Sequence, residues 1–289
     1  MRNFKFIIYF LLCFGAIAAQ DKVQVVLLAG QSNMAGAGNF DLLDAITKDR
    51  IAKASKTVLL SFNGAEAKPL SFYDNKPTEK YNFKKRFGPE LLLGVTLAEK
   101  YPKKEFLLIK KSRGGTSLYG AWNPNWSAEK AKAVEKGEEK QNVKLYHTHI
   151  TDIKKSLEAL HIQEKEYKII GLCWLQGEND AAKEVSARSY KVNLKDLHNA
   201  YKRDLSLENL PFVIGQINST YGRFKEGPEM VRQAMADFCK ENNRALLLKT
   251  TTNRKWKDYP KHTDNVHYNT EGQKRLGIAF GEKIIKLNK

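Results

Sequence analysis

Val23-Gln-Val-Val-Leu-Leu-Ala-Gly-Gln-Ser-Asn-Met34 runs from an apolar stretch straight into a polar turn. Residues 23–29 are almost continuously apolar, the pattern of a strand buried on both faces rather than on one. Similar short runs rich in Val, Ile and Leu recur at 57–62, 105–110, 168–175, 212–217 and 245–249. Longer amphipathic stretches separate them, and helices are expected at 89–100, 144–161, 184–205, 229–242 and 271–287. Pro89 suits a first helical turn, where its missing N–H is not needed. Thr270 with Gln273 has the spacing of a capping box for the last helix. Strand–helix alternation of this kind predicts an α/β fold, a three-layer α/β/α sandwich on a central parallel sheet. In such sheets ligands bind outside the carboxyl ends of the strands, so the residues just after each strand carry the chemical information.

Three strand ends bear residues that suit acyl chemistry. Gly30-Gln-Ser-Asn33 follows the first run. A serine at a strand-to-helix turn can project its hydroxyl above the sheet while its own N–H faces a developing anion. The same position also suits a simple N-cap. The flanks are not Gly-x-Ser-x-Gly, which argues against an ordinary α/β-hydrolase elbow. Ser112-Arg-Gly-Gly-Thr-Ser117 follows the third run, and its paired glycines let backbone N–H groups approach a ligand. Trp174-Leu-Gln-Gly-Glu-Asn-Asp180 follows the fourth, crowding amides and carboxylates at one strand end. Near the C-terminus, Asp264-Asn-Val-His267 sets a carboxylate three residues before an imidazole. Asp264 can there accept from one ring nitrogen and aim the other at a hydroxyl. His147 and His149 would point to different sides of a helix, and His161, His198 and His262 have no acidic partner at useful spacing.

Taken together, these blocks resemble the SGNH/GDSL hydrolase superfamily, in particular its sialate O-acetylesterase and acetylxylan esterase branch. The carriers are Gly30-Gln-Ser-Asn-Met34, Gly114-Gly-Thr-Ser-Leu118, Trp174 to Asp180 and Asp264 to His267, in the family's order, over about residues 23–285. The resemblance implies a flavodoxin-like sheet, no metal and no cofactor. It implies Ser32 as nucleophile, His267 as base and then acid, and Asp264 as the group that orients His267. The backbone N–H groups of Ser32 and Gly115 would bind the oxyanion together with one side-chain amide. Two registers compete for that amide: the superfamily's Gly-x-Asn-Asp nominates Asn179, whereas the narrower branch points to Gln176, the preferred assignment. Gln31 and Glu178 would stand behind the site, Glu178 bracing the elbow. Arg113 is unexpected before the glycine pair, where it would narrow the pocket or meet an acidic substrate. Trp122, in Trp122-Asn-Pro-Asn-Trp126, would either stack on a sugar or form an apolar lid. The insertion over 123–146 is expected to be partly helical and to wall the site.

The substrate implied is an acetylated carbohydrate. The alternatives are an SGNH hydrolase acting on lipid or other acyl esters, and an inactive carbohydrate-binding relative, which intact Ser32, Asp264 and His267 disfavour. The chain has 289 residues, 42% of them hydrophobic, with no internal repeat or linker, so a single esterase domain is expected over 21–289. Residues 1–20 have the basic start, apolar run and Ala-Ile-Ala-Ala finish of a signal peptide. The apolar run is shorter than the roughly 18 residues of a membrane span. Secretion or export to the periplasm follows, with no membrane association after cleavage. The formal charge is +17 and lysine-rich. Scattered lysines suit solvated helix faces, and they also suit attraction to an acidic polymer. No nucleic-acid-binding motif accompanies them, so nucleic acid is not the expected partner. Cys173 sits in a strand-like run as a small hydrophobe, and no disulfide framework or zinc spacing is present in the sequence. Nothing in the sequence assigns an oligomeric state.

Overall fold

The apolar run at the start of the folded chain forms β1 (Val23–Gly30), whose residues are almost all buried. The structure is a computed structural model and describes residues 22–289, so the expected signal peptide lies outside the described residues. After β1 come α1 (Ser32–Ala35), β2 (Gly38–Asn39), a 3₁₀ turn at Phe40–Leu42 and α2 (Ala45–Ala54). Then follow β3 (Val58–Phe62), β4 (Lys68–Pro69), β5 (Tyr73–Asp74), β6 (Lys85–Phe87) and α3 (Glu90–Lys100). The middle of the chain holds β7 (Phe106–Ser112), α4 (Ala128–Val134), α5 (Glu138–Gln141), α6 (Leu145–Ile162) and β8 (Tyr167–Leu175). The remaining elements are α7 (Glu178–Ala181), α8 (Glu184–Asp204), β9 (Phe212–Gly215), α9 (Gly227–Glu241), β10 (Ala245–Leu248) and α10 (Thr270–Leu287).

All six expected strands pair in one sheet of order β10-β9-β8-β1-β7-β3-β4, parallel throughout except for β4. Alternation along β1 sends Val23, Val25, Leu27 and Ala29 into the core under α6, α8 and α9. Val26 and Leu28 enter the core shared with α3 and α10. Both faces are therefore covered, as the unbroken apolar runs require. A small antiparallel sheet, β2-β6-β5, sits apart from the main one. The insertion over 123–146 is partly helical, as α4 and α5. The expected capping box is displaced by one residue: Asn269 caps α10 by accepting from Gly272 N–H, and Thr270 Oγ1 instead accepts from Asn39 N–H. Cys173 and Cys239 are free thiols. No helix among the described residues is long and apolar enough to cross a membrane.

Strand register does the work of assembly. Gly30 aligns with Ser112 on one side and with Leu175 on the other, so three strands end level with one another. The polar blocks that follow them are thereby set side by side. Gly30 must be glycine here, because a Cβ would drive into the Leu175 carbonyl.

Beneath the turn lies a buried ion pair. Lys110 Nζ bonds Glu90 Oε2 at 2.6 Å, both side chains fully buried, and also donates to Ala35 O at 3.1 Å. Glu90 Oε1 accepts from Gly88 N–H, and the Phe62 ring lies 4.6 Å from the ammonium. Burial pushes the Lys110 pKa down, against the pull of Glu90. Removing one partner strands the other charge. Lys110→Met should therefore cost about 3–5 kcal/mol in urea unfolding, and the double change Lys110→Met with Glu90→Gln should cost less. Equal cost for the single and double variants would contradict this role.

Candidate active site

Ser32 is the first residue of α1, and Gln31 occupies the cap position without a side-chain capping bond. The Ser32 hydroxyl is therefore not spent as a cap. It faces His267, with Oγ 2.8 Å from Nε2. On the far side of the ring, Nδ1 lies 2.7 Å from Asp264 Oδ2. Asp264 Oδ1 accepts from the backbone N–H groups of Val266 and His267, each at 2.9 Å. Asn265 takes the left-handed conformation, φ 57°, that this tight turn demands and that asparagine tolerates.

The amide of Asn33 ties this loop to the sheet. Its Nδ2 donates to Glu178 Oε1 at 2.8 Å and to Val266 O at 3.1 Å, while Oδ1 accepts from Tyr268 N–H. Gln31 is buried behind Ser32, and its Oε1 accepts from Gly177 N–H and Gln176 Nε2. The glycine block packs on the serine: a Cβ on Gly114 would lie 3.4 Å from Ser32 Cβ. Gly115 is left-handed, φ 67°.

The two competing amides differ sharply. Gln176 is fully buried, and its Nε2 is committed to Thr116 O, Asp180 Oδ2 and Gln31 Oε1. It braces the site from below and has no N–H left for an oxyanion, which corrects the preference for it. Asn179 is half-buried, and its Nδ2 reaches Gly115 O at 3.2 Å, beside the glycine turn. Of the two expectations for Trp122, the sugar contact is corrected and apolar packing is what the structure holds. Its ring is fully buried, packed edge-on against Trp174 at 5.3 Å in the core under α6 and α8, and faces no solvent. Arg113 stands at the rim, paired with Glu139 of α5. From the insertion, Lys140 Nζ comes within 2.5 Å of where a Gly115 Cβ would lie.

Four contributors escaped sequence reasoning. Asn33 and Asp180 lie inside the quoted blocks, but nothing in their spacing shows what they bind. Asp180 accepts from Leu118 N–H, Tyr119 N–H and Gln176 Nε2, fixing the loop after the glycines. Lys80 and Lys140 are lysines among many, with no motif to single them out. Lys80 Nζ lies 2.7 Å from Asp264 Oδ2.

These contacts set the electrostatics. Burial lowers the His267 pKa, the bond to Asp264 opposes this, and the nearby Lys80 charge adds to the lowering. Burial alone would raise the Asp264 carboxyl, but the bonds from Lys80, the His267 and Val266 N–H groups and the imidazole hold it well below the usual range. Burial pushes Asp180 up to about 7, although its amide and backbone donors pull the other way. Glu178 is raised by burial too. Among the described residues, no three His, Cys, Asp or Glu side chains are placed to hold a metal ion.

A parallel sheet covered on both faces, with a serine, an imidazole and a carboxylate at its carboxyl edge, is the architecture of an SGNH-type α/β hydrolase. The family model described as "Carbohydrate esterase, sialic acid-specific acetylesterase" matches residues 22–286, and the chain belongs to that family of carboxylic ester hydrolases. A probable carbohydrate esterase of Arabidopsis thaliana is 29% identical over 118 residues, a match that spans 41% of this chain and 41% of that relative's length. An Arabidopsis thaliana crystal structure superposes with a TM-score of 0.66 at 20% identity, covering 92% of this chain and 98% of the other. The crystal structure of NanS gives 0.60 at 17% identity, over 92% and 98%. A carbohydrate acetylesterase from Xanthomonas citri gives 0.58 at 14%, over 91% of this chain and 56% of that one. At these identities the superpositions show the shared fold.

Asn33→Ala would leave the Glu178 carboxylate and two backbone groups without their partner. The expected cost is about 1–3 kcal/mol in chemical denaturation. Esterase activity should fall by more than the loss of folded protein explains, because the bonds that set Val266 and Tyr268, on either side of His267, against α1 are lost. Unchanged stability and activity would contradict the clamp.

Proposed function

We propose that this protein is a serine esterase that removes O-acetyl groups from carbohydrate through an acyl-enzyme. The observation that carries this reading is the unbroken line from Ser32 Oγ through both ring nitrogens of His267 to Asp264. His267 takes the Ser32 proton as Oγ attacks the ester carbonyl, and Asp264 steadies the imidazolium that forms. Collapse of the tetrahedral intermediate breaks the bond to the sugar oxygen, which leaves with the proton from His267. Water, deprotonated by His267, then attacks the acetyl-Ser32 ester, and acetate departs as Ser32 recovers its proton. The backbone N–H groups of Ser32 and Gly115 and the amide of Asn179 are the oxyanion donors in this reading. Asn179 takes the place of Gln176 because its amide stands beside the glycine turn and is not locked beneath it.

Lys140 brings a positive charge beside Gly115 that suits an acidic acetylated sugar, whereas Arg113 is already paired with Glu139. Acetylated xylan and sialic acid remain within the class. The signal-like leader supports action outside the cytoplasm or in the periplasm. A lipid-like acyl chain is a poorer fit. The cavity of about 600 Å³ lined by Val23, Leu59 and Leu107 together with Lys56, Glu105 and Lys155 is of mixed polarity and lies at the amino ends of the strands, the edge opposite Ser32.

Acetate release from acetylated xylan, acetylated sialic acid and a chromogenic acetyl ester tests the reading. Ser32→Ala should lower the rate by about a thousandfold or more. Asn179→Ala should lower kcat by about 10²–10³. Equal rates for wild type and Ser32→Ala would sink the nucleophile. Since His267 must be neutral to act as base and its pKa is lowered, kcat/KM should rise along an acid limb centred below about pH 6.5, the ordinary imidazole value. A limb centred above that value would contradict the electrostatic picture.

A further inference from the structure

The loop joining β5 to β6 brings a second cation-bearing side chain to the Asp264–His267 pair. Lys80 Nζ lies 2.7 Å from Asp264 Oδ2 and 3.2 Å from His267 Nδ1. The imidazole Nδ1 bonds the same carboxylate oxygen, also at 2.7 Å. One oxygen thus receives both an ammonium and a ring N–H, while the other is filled by the two backbone donors. Lys80 is held in place further by the Tyr81 ring, 5.2 Å from its ammonium. That ring stands edge-on to His267 at 6.4 Å and to His262 at 5.6 Å, with the Arg86 guanidinium 4.8 Å above it.

We propose that Lys80 is a positioning residue for the hydrolytic reaction, a fixed positive charge set against the Asp264–His267 pair so that the imidazole stays neutral, and able to take the Ser32 proton, in more acidic medium. The proposal rests on the esterase reading of the site. Its physical basis is the change of charge during the reaction. In the resting site the ammonium and the carboxylate compensate each other and the imidazole is neutral. When His267 takes a proton, the new positive charge is attracted by Asp264 and repelled by Lys80 at 3.2 Å. Sharing Asp264 Oδ2 with Lys80 also weakens the pull of that oxygen on the ring. Both effects make His267 a weaker base and keep it deprotonated to lower pH.

The other charged or titratable groups around the ring do not reproduce this. Arg86 acts on His267 from across Tyr81 and pushes in the same direction, but more weakly. Lys261 feels Asp264 only at a distance. His262 is turned away, its Nε2 on Ala37 O. Tyr81 meets the ring by its edge, and Ser32 is neutral. Loss of Lys80 need not dislodge Asp264, because two backbone N–H groups still hold Oδ1. A charge effect is therefore separable from a purely structural one.

The test compares wild type, Lys80→Met and Lys80→Arg. The pH dependence of kcat/KM on a chromogenic acetyl ester is measured for each, together with NMR titration of the His267 ring. Lys80→Met should move the acid limb and the ring titration upward by about one unit, so that on the acid flank the rate falls about tenfold. The alkaline plateau should change less than the acid flank. Lys80→Arg keeps the charge and should leave both midpoints within about 0.3 unit of wild type. An unmoved or lowered midpoint in Lys80→Met, or an equal shift in Lys80→Arg, overturns the proposal. The NMR titration reads the ring whether or not the ester is hydrolysed. Failure of the esterase reading would appear separately, as equal rates for wild type and Ser32→Ala.

Discussion

The side-chain amide of Asn33 joins three segments of the chain that are otherwise far apart. It is one residue from Ser32, it donates to Glu178 at the start of α7, just past β8, and it donates to and accepts from the backbone on either side of His267. The sheet can deliver the first two segments, since β1 and β8 are neighbours in register. It cannot deliver the third, because the loop over 249–269 belongs to no strand of the sheet. Specific bonds must fix where His267 sits relative to Ser32, and among them a buried amide with both its donor and its acceptor satisfied is the one nearest the pair. Gln273 adds to the clamp by donating from α10 to Asn33 O.

Around this amide the carboxyl end of the sheet becomes a buried polar layer, unlike the apolar cores above and below it. Gln31, Gln176, Glu178 and Asp180 are all buried, and all bond to one another or to the loops that carry Ser32 and Gly115. Such a layer is costly unless its groups are satisfied. The raised position of Asp180, near 7, records that cost. What it supplies is rigidity: side chains held by several partners at once cannot easily reorient. The Lys110–Glu90 pair has a comparable role beneath this layer, supporting the carbonyl of Ala35 at the end of α1.

Much of this is legible in the sequence, for identifiable reasons. Strands buried on both faces are written as unbroken apolar runs, so all six can be read directly, and the site has to lie after them. Strand ends are less legible where charge is buried. The apolar run at 105–110 predicts a strand that stops at Lys110, yet β7 continues to Ser112 because Glu90 neutralises that lysine inside the core. Trp122 shows a different limit: a tryptophan in a loop reads equally as a sugar platform or as apolar packing, and only the fold, which turns this loop back under α6, decides for packing. The choice between Gln176 and Asn179 turns on which amide is already committed, and that is a property of tertiary packing rather than of spacing. Lys80 is invisible in the sequence because lysines are abundant here and its partner lies 184 residues away.

In the proposed mechanism His267 makes Ser32 the reactive hydroxyl of the molecule. Labelling with an active-site phosphonate ester, followed by peptide mass spectrometry and an assay of residual acetylesterase activity, tests it most directly. One phosphonylated residue, Ser32, is expected, with activity falling in proportion to its modification. A phosphonate on another hydroxyl, or acetylesterase activity that survives complete modification of Ser32, would contradict it.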